Sequence, residues 1–238
     1  MDNQTFSRHI RNQQNHWWFQ ARKKILDQII SSCNFKKKIK ILDFGSGSGV
    51  NIEMLKKYGS IDVHEKNNYA RSKIKKKYRS IKNLYKSHNI KRNYYDLILA
   101  ADVIEHVRYP SSLLKLLKKS LKKNGRLLIT VPSYQFLFSK KDKVLGHYRR
   151  YNKKKLKDEF KDFKIENISY FNSFLSLPII LITLLNKLFG RDYIDSVETT
   201  PNIFLNKLLY VIFSSENYFL KYFNFPFGIS IYILAKND

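Results

Sequence analysis

Residues 41–49 read Ile-Leu-Asp-Phe-Gly-Ser-Gly-Ser-Gly, and this stretch decides the fold. An apolar run typical of a buried strand carries one carboxylate, Asp43, and then breaks into alternating glycines. Glycine lets the backbone turn sharply and approach a ligand closely, because it has no Cβ. Apolar residues at 50, 54, 55 and 58 then have the spacing of one helix face. We therefore expect a strand, a glycine loop and a helix that together bind a nucleotide-like ligand.

A second feature specifies the ligand further. Glu65 lies twenty residues after Gly45, near the end of another short apolar run at 61–65. In a nucleotide-binding βαβ unit, an acidic side chain at this point binds a ribose 2′-hydroxyl. The two features together predict a cofactor that contains adenosine.

The details of the loop favour one such cofactor. The spacing G-x-G-x-G is one residue shorter than the dinucleotide fingerprint, and no Gly-Lys-Ser/Thr follows that would indicate a Walker loop. Asp43 would repel a pyrophosphate, but it suits a ligand with an ammonium and a sulfonium group. S-adenosylmethionine has both, so we expect it as the cofactor. The residues predicted to bind it here are Asp43, Gly45, Ser46, Gly47, Gly49 and Glu65.

Several motifs resemble the class I S-adenosylmethionine-dependent methyltransferases. Residues 95–107 look like that family's fourth strand and the turn after it, and residues 121–132 look like the helix end, turn and fifth strand. Residues 146–151 (Gly-His-Tyr-Arg-Arg-Tyr) and 16–19 (His-Trp-Trp-Phe) with Arg22 resemble a subgroup related to enzymes that methylate quinones, lipids and glycan-linked small molecules. The resemblance covers roughly residues 15–172 and resumes at the C-terminus.

The alternation of elements predicts an α/β fold. Helices are expected within 6–33, and strands at 39–44, 60–64, 82–87, 95–100, 126–131, 164–170 and 228–235. The resemblance implies a Rossmann-like, seven-stranded sheet whose last strand is antiparallel. We expect an N-terminal helical cap (1–38), a cofactor-binding core (39–171), an apolar helical insertion (172–227) and a final core strand (228–238).

The insertion is longer than the short connection of a minimal methyltransferase. It contains two apolar segments, 174–189 and 203–213, which are shorter than the about twenty residues that span a bilayer and which carry Asn and Lys. Such segments suit buried or interfacial helices. A roof over the substrate site, a dimer contact and a membrane-facing lid for a lipid-linked acceptor are all open interpretations.

Candidate catalytic residues follow the fourth strand. His106 is the first candidate for a general base, because it lies at the carboxyl edge of the sheet and its ordinary pKa is near neutrality. Glu105 precedes it, and His147 is the second candidate. The resemblance places Asp102 near the methionine end of the cofactor. Asp102, Glu105 and His106 could instead hold a divalent metal, but without a fourth convincing ligand we expect none.

Two further groups of residues are candidates for binding. Arginine has a planar fork that suits phosphate or carboxylate groups, and aromatic side chains could close over a ligand. Relatives usually have an acidic residue after the third strand that contacts the adenine amine, and here Asn89 is the candidate for that contact. The predicted acceptor-binding residues are Trp18, Arg22, Tyr148, Arg149 and Arg150.

Charge indicates an anionic partner without identifying it. The chain has 238 residues and a formal net charge of +26, which attracts nucleic acid, acidic lipid headgroups or a phosphate-bearing substrate. An abundance of Lys, Asn, Ile, Phe and Tyr is also the signature of a genome poor in G and C. The single Cys33 excludes an internal disulfide and fits a reducing cytoplasm. No signal peptide is visible in the first twenty residues.

These observations predict a cytoplasmic methyltransferase for a small-molecule acceptor that is lipid- or glycan-linked, with O-methylation favoured. A peripheral contact with the anionic inner face of the membrane is part of this expectation. The alternatives are an RNA methyltransferase, which the charge favours, and a catalytically silent scaffold that has kept the cofactor fold.

Overall fold

A computed structural model describes residues 13, 15–81, 83–189 and 200–238. Seven strands form one sheet in the order β3-β2-β1-β4-β5-β7-β6. Neighbouring strands from β3 to β5 are parallel, whereas β7 is antiparallel to both β5 and β6. The strands are β1 (Ile39–Phe44), β2 (Gly59–His64), β3 (Leu84–Tyr85), β4 (Tyr95–Ala101), β5 (Leu121–Pro132), β6 (Lys164–Phe171) and β7 (Ser230–Lys236).

Helices connect the strands and cover the sheet. Short 3-10 turns follow β4 at Ile104–His106 and β5 at Gln135–Leu137. The α-helices are α1 (Trp17–Ser31), α2 (Ile52–Leu55), α3 (Asn68–Lys77), α4 (Pro110–Ser120), α5 (Lys140–Leu145), α6 (Lys153–Glu159), α7 (Ser176–Leu188) and α8 (Ile203–Phe219). This arrangement confirms the predicted Rossmann-like, seven-stranded fold with an antiparallel last strand.

The central strands form the core because both of their faces are covered. β4 is buried at five of its seven positions, and β7 at six of seven. Strands covered on both sides have continuous apolar runs rather than alternating ones, which is why the sequence shows Leu97–Ala100 and Ile231–Ala235 as unbroken runs. The carboxyl ends of β1, β2, β4 and β5 therefore meet at one well-supported edge.

β5 and β3 differ most from their predicted bounds, and the other strands agree within two residues. β5 begins at Leu121 instead of 126, because Leu121 pairs with Tyr95 and the backbone N–H of Asn124 donates to the carbonyl of Asn237 at 2.6 Å. Asn124 and Gly125 therefore belong to an irregular strand start rather than to a turn before it. β3 is only Leu84–Tyr85, and residue 82 lies outside the described residues.

The N-terminal helix and the insertion pack against each other. The rings of Trp17 and Phe213 meet edge to face, with their centroids 5.9 Å apart, and Phe213 is fully buried. The N–H of Trp17 also donates to Oδ1 of Asn206 at 2.9 Å. The part of the predicted N-terminal helices at 6–12 lies outside the described residues, and α1 itself begins at Trp17. α8 thus supports the position of α1 over the sheet.

Replacement of Phe213 by Ala should destabilise the protein by about 3–5 kcal/mol, because it removes a buried ring between α8 and α1. The matched control is Phe204→Ala on the same helix. Phe204 is 79% exposed, so the free energy of unfolding should change by no more than about 0.5 kcal/mol. Denaturant unfolding measures both, and equal effects would contradict the described packing of α8.

Candidate active site

The glycine loop joins β1 to α2 through three residues with positive φ. A Cβ on Gly45 would lie 2.6 Å from Cγ2 of Val103, and one on Gly49 would lie 2.7 Å from Cδ1 of Ile52. These two glycines are therefore needed for packing. At Gly47, with φ +58°, a Cβ would meet nothing among the described residues closer than the side-chain amide of Gln13, at 3.6 Å. Gly47 is the position where the loop leaves room for a ligand.

Asp43 is a buried carboxylate beside this loop. Its side chain accepts a hydrogen bond from Oγ of Ser46 at 2.5 Å, and the residue is only 1% exposed. Burial raises the pKa of Asp43 to about 6, and the nearby charge of Glu65 raises it further while Ser46 and Arg22 oppose the shift. Ser46 and Arg22 thus do not fully offset the cost of burying the ionised carboxylate, and a cationic ligand would stabilise it.

Glu65 contacts the same loop from the end of β2. Its Oε2 accepts from the N–H of Gly47 at 2.7 Å, and its Oε1 accepts from the N–H of Asn67 at 2.8 Å. Burial raises the pKa of Glu65, while these N–H donors lower it. The structure therefore brings together Asp43, Ser46, Gly47 and Glu65, as predicted for one cofactor site. The contact of Glu65 with a ribose stays a prediction.

The N-terminal helix adds a cation to this acidic edge. Arg22 is 4% exposed, its Nη1 forms an ion pair with Asp102, and its guanidinium carbon lies 4.5 Å from the ring centre of Trp18. Burial lowers the pKa of Arg22 to about 10, and the charges of Glu105 and Asp43 oppose the shift, so the side chain is cationic at neutral pH. Arg22, predicted to bind the acceptor, and Asp102, predicted to bind the cofactor, thus form an ion pair with each other.

Asp102 is held in an unusual backbone conformation at the end of β4. Its φ is +56°, its N–H donates to the carbonyl of Thr130 at 3.0 Å, and its Oδ1 accepts from the Thr130 hydroxyl at 2.8 Å. Positive φ is uncommon for residues other than glycine and is found at sites where surrounding contacts hold the strain. Thr130 and Gln13 are site residues that the sequence did not indicate.

Gln13 closes the other side of the glycine loop. It is 7% exposed, and its Oε1 accepts from the Ser48 hydroxyl at 2.5 Å. It lies in the segment before α1, where no motif marks it. Its position beside Gly47 adds an amide to the group of side chains around the predicted cofactor.

A second cluster follows β4 and contains both histidine candidates. The rings of His106 and His147 meet edge to face, with centroids 4.5 Å apart. Nδ1 of His147 lies 2.8 Å from Oδ1 of Asp142 and donates to it, because an ionised carboxylate can only accept. Asp142 is 1% exposed and is held by two bonds of 3.0 Å from the Arg150 guanidinium. His147, Arg150 and the Ser139 backbone lower the pKa of Asp142 well below its usual range, despite the opposing effect of burial.

The sequence does not indicate Asp142 as a site residue. The sequence signal that marks it is Ser139-x-x-Asp142, a capping box, which describes only its role at the start of α5. The same carboxylate binds Ser139, Arg150 and His147, so one side chain fixes the helix start and the imidazole together.

Glu105 lies beside the histidines, and its backbone carbonyl accepts from the N–H of Tyr148 at 2.8 Å. It is fully buried, and neither carboxylate oxygen has a hydrogen-bond partner within the described part of the chain. Burial raises the pKa of Glu105 to about 8, Asp142 raises it further, and the charges of Arg22 and Arg150 oppose the shift. Glu105 is therefore mainly protonated at neutral pH.

Glu105, His106 and His147 are also close enough to form a cation site. One ligand atom from each lies within 4.8 Å of the others. This set differs from the sequence-based metal set, because His147 takes the place of Asp102, whose carboxylate is paired with Arg22. A protonated Glu105 does not fit a metal, so deprotonation would have to accompany any binding.

The other predicted binding residues lie around these two clusters. The guanidinium of Arg149 donates to the carbonyl of Arg108 at 2.7 Å, and that of Arg150 is committed to Asp142, so direct contact of either with an acceptor stays a prediction. Tyr148 is 56% exposed near the histidines. Asn89 is exposed, and the adjacent His88 ring lies 5.9 Å from that of Phe44 at the end of β1. This places the loop after β3 beside the cofactor edge.

Solved structures of other proteins share this fold. A SAM-dependent methyltransferase from Archaeoglobus fulgidus is 18% identical, with a TM-score of 0.55 over 90% of this chain and 94% of its own. Phosphoethanolamine N-methyltransferase 2 from Haemonchus contortus, in complex with S-adenosyl-L-methionine, is 17% identical, with a TM-score of 0.53 over 89% of this chain and 51% of its own. The architecture is that of the class I S-adenosylmethionine-dependent methyltransferases.

Sequence comparison identifies the family. Residues 8–173 match the model of a family described as Methyltransferase domain, and this stretch is more than half of the chain, which therefore belongs to that family. An uncharacterized protein of Methanocaldococcus jannaschii, MJ0638, is 30% identical over 147 residues, which span 61% of this chain and 62% of that protein.

The residues at the glycine loop fit the cofactor of this class, S-adenosylmethionine. A cofactor with a sulfonium and an ammonium group would offset the under-compensated charge of Asp43 and Glu65, and Gly47 leaves room for its approach. Membership of the methyltransferase family confirms the cofactor expected from the sequence.

The affinity for S-adenosylmethionine should depend on the ionisation of Asp43. Since the pKa of Asp43 is about 6 in the folded protein, the carboxylate gains a proton as the pH falls through 6, and the attraction for the cationic cofactor is then lost. One pH unit below that pKa, affinity should fall about tenfold, whereas Asp43→Asn should bind weakly at every pH. Calorimetric titration from pH 5 to pH 8 measures this.

The stability of the free protein should change in the opposite direction. The folded pKa of Asp43 lies above its ordinary value of 3.8, so the ionised group destabilises the fold, and stability increases as the pH falls from about 6 towards 4. Asp43→Asn should remove this part of the pH dependence of unfolding.

A wild-type affinity for S-adenosylmethionine that is constant from pH 5 to pH 8 would contradict the role of Asp43 in cofactor binding.

Proposed function

We propose that this methyltransferase methylates a hydroxyl group of a small-molecule acceptor that is lipid- or glycan-linked. One observation carries the preference for oxygen: the His147–Asp142 pair beside the edge of the sheet that holds the cofactor residues. A hydroxyl must lose its proton as the new C–O bond forms, and a base within hydrogen-bond reach accepts it. Transfer to a neutral amine requires such a base less strictly.

The cofactor supplies a methyl group that the sulfonium activates for in-line displacement. The protein contributes position and proton transfer. Asp142 holds His147 through Nδ1, which leaves Nε2 with the lone pair that can accept the acceptor's proton. Arg150 keeps Asp142 ionised and in place through two hydrogen bonds, so we assign it a positioning role.

We assign the role of general base to His147 rather than to His106. The buried carboxylate of Asp142 orients His147, and only 11% of the His147 side chain is exposed. His106 is exposed, and its ring meets that of His147 edge to face. Glu105, protonated at neutral pH, can donate a hydrogen bond to the acceptor or to a histidine. Tyr148, which is exposed and follows His147, is the residue of this segment that we assign to acceptor binding, and contact of Arg149 would require it to leave the carbonyl of Arg108.

His147→Gln should lower kcat by about 100-fold or more, because glutamine keeps a polar side chain of similar reach but cannot take up the proton. The affinity for S-adenosylhomocysteine should remain within about twofold of the wild-type value, since His147 is outside the glycine loop. The measurement is transfer of labelled methyl groups to a panel of hydroxylated lipid-linked glycans, quinols and RNA, with pH profiles.

The comparison variant is His106→Gln, which should retain more activity than His147→Gln. A larger loss in His106→Gln would return the base role to His106. Activity that a chelator abolishes and a divalent cation restores would instead favour a metal held by Glu105, His106 and His147. Methylation of RNA alone, which the charge of +26 would favour, would overturn the small-molecule assignment.

A further inference from the structure

The insertion exposes apolar side chains that the core does not use. α7 has the sequence SLPIILITLLNKL, and its one buried residue is Ser176. Helices that are apolar on all sides are normally buried. The exposed side chains that form this apolar surface include Leu177, Leu181, Leu188, Ile203, Phe204 and Val211, with exposed fractions from 52% to 89%.

Such a surface needs a partner of its own. Monomeric proteins rarely expose contiguous apolar patches of more than a few hundred Å², and larger ones mark interaction sites. Within the described residues, no helix is both long and apolar enough to cross a bilayer. Amphipathic or apolar helices of this length can lie in the interface between lipid headgroups and acyl chains.

Charge around the surface favours an anionic partner. In the described part of the insertion, at 172–189 and 200–227, the basic residues are Lys187, Lys207 and Lys221, and all three are exposed. The acidic residue there is Glu216, which is fully buried and accepts from the N–H groups of Ser173 and Phe174 at 2.6 and 2.8 Å. The exposed charge of the described helices α7 and α8 and the segment after α8 is therefore positive, while the sequence between the helices also contains Arg191, Asp192, Asp195 and Glu198.

A second copy of the chain fits this surface less well than lipid does. Two copies would bring together molecules that each carry +26, and their lysines would be close in a symmetric contact. An anionic bilayer offers apolar acyl chains to α7 and α8 and negative headgroups to the lysines, each of which contributes about 1 kcal/mol near such a surface.

The surface is also continuous with the candidate active site. Nζ of Lys187 donates to the carbonyl of Phe136 at 2.6 Å, and Phe136 is 56% exposed. The ring of Phe136 stacks on Tyr134, with centroids 5.4 Å apart, directly after β5. On the other side, α8 packs on α1, which carries Arg22. Both helices of the insertion thus adjoin elements that build the site.

We propose that α7 and α8 dock into the interface of an anionic lipid bilayer. Docking would bring the edge of the active site to the membrane, where an amphiphilic acceptor could enter without leaving the lipid. This consequence rests on the proposed function, whereas docking itself does not.

Vesicle flotation tests docking without methyl transfer. The wild-type chain should float with vesicles of phosphatidylglycerol and phosphatidylcholine, and far less with phosphatidylcholine alone. Phe204→Asp and Leu188→Asp should each lower the bound fraction at least about tenfold, because each places a charge where an apolar side chain would enter the bilayer. Raising the salt to about 0.5 M should weaken the binding without abolishing it, since only the electrostatic part is screened.

The matched control is Tyr69→Asp, which lowers the net charge by the same amount. Tyr69 is 38% exposed on α3, which leads to β3 at the opposite edge of the sheet from β6. This variant should bind anionic vesicles as well as the wild type. Each variant is first shown to be folded by its melting temperature and its binding of S-adenosylhomocysteine.

Wild-type protein that stays in the aqueous fraction with anionic vesicles would overturn the proposal. So would equal losses in Phe204→Asp and Tyr69→Asp, because binding would then depend on charge alone. Dimerisation in sedimentation experiments that Phe204→Asp abolishes, without vesicle binding by the wild type, would assign the surface to a second copy. Failure of methyl transfer with intact vesicle binding would affect only the proposed function.

Discussion

The ion pair between Arg22 and Asp102 is the interaction on which the candidate active site depends. It links the N-terminal helix to the end of β4, at the carboxyl edge of the sheet, where Asp43 and Glu105 are also buried. Without the guanidinium, Asp43 and Asp102 would have no neighbouring buried cation on that helix to balance them, and buried charges without partners are strongly destabilising. Because α8 packs on α1, the position of this arginine also depends on the insertion.

Two buried clusters with different protonation states share the carboxyl edge of the sheet. At the glycine loop, Asp43 and Glu65 have raised pKa values and lie where a cation would bind. After β4, a protonated Glu105 lies near an Asp142 that Arg150 keeps ionised. Carboxyl groups whose environments move their pKa values apart can serve different roles at one pH. Here the first cluster suits a cationic cofactor, and the second suits proton transfer.

Local patterns in the sequence predicted much of the fold and part of the site. The glycine loop, Asp43 and Glu65 lie together because strand ends and loop spacing determine their places. Asp142 and Gln13 could not be predicted, because their contacts with His147 and Ser48 arise from tertiary packing; only a capping box marked Asp142. The pairing of Arg150 with Asp142 likewise depends on how the segment after β5 folds back. The start of β5 could not be predicted, because the pairing of Leu121 with Tyr95 and the hydrogen bonds to Asn237 after β7 override the turn preference of Asn124-Gly125.

The most direct test of this account is calorimetric titration of S-adenosylhomocysteine into the wild-type protein and into Glu65→Ala. Glu65 accepts hydrogen bonds from the N–H of Gly47 in the glycine loop and from the N–H of Asn67 before α3, and we expect it to bind the ribose. We expect saturable binding by the wild type and a loss of at least about tenfold in the folded variant, equivalent to about 1.4 kcal/mol. Absence of binding by the folded wild type, or an unchanged affinity in Glu65→Ala, would contradict it.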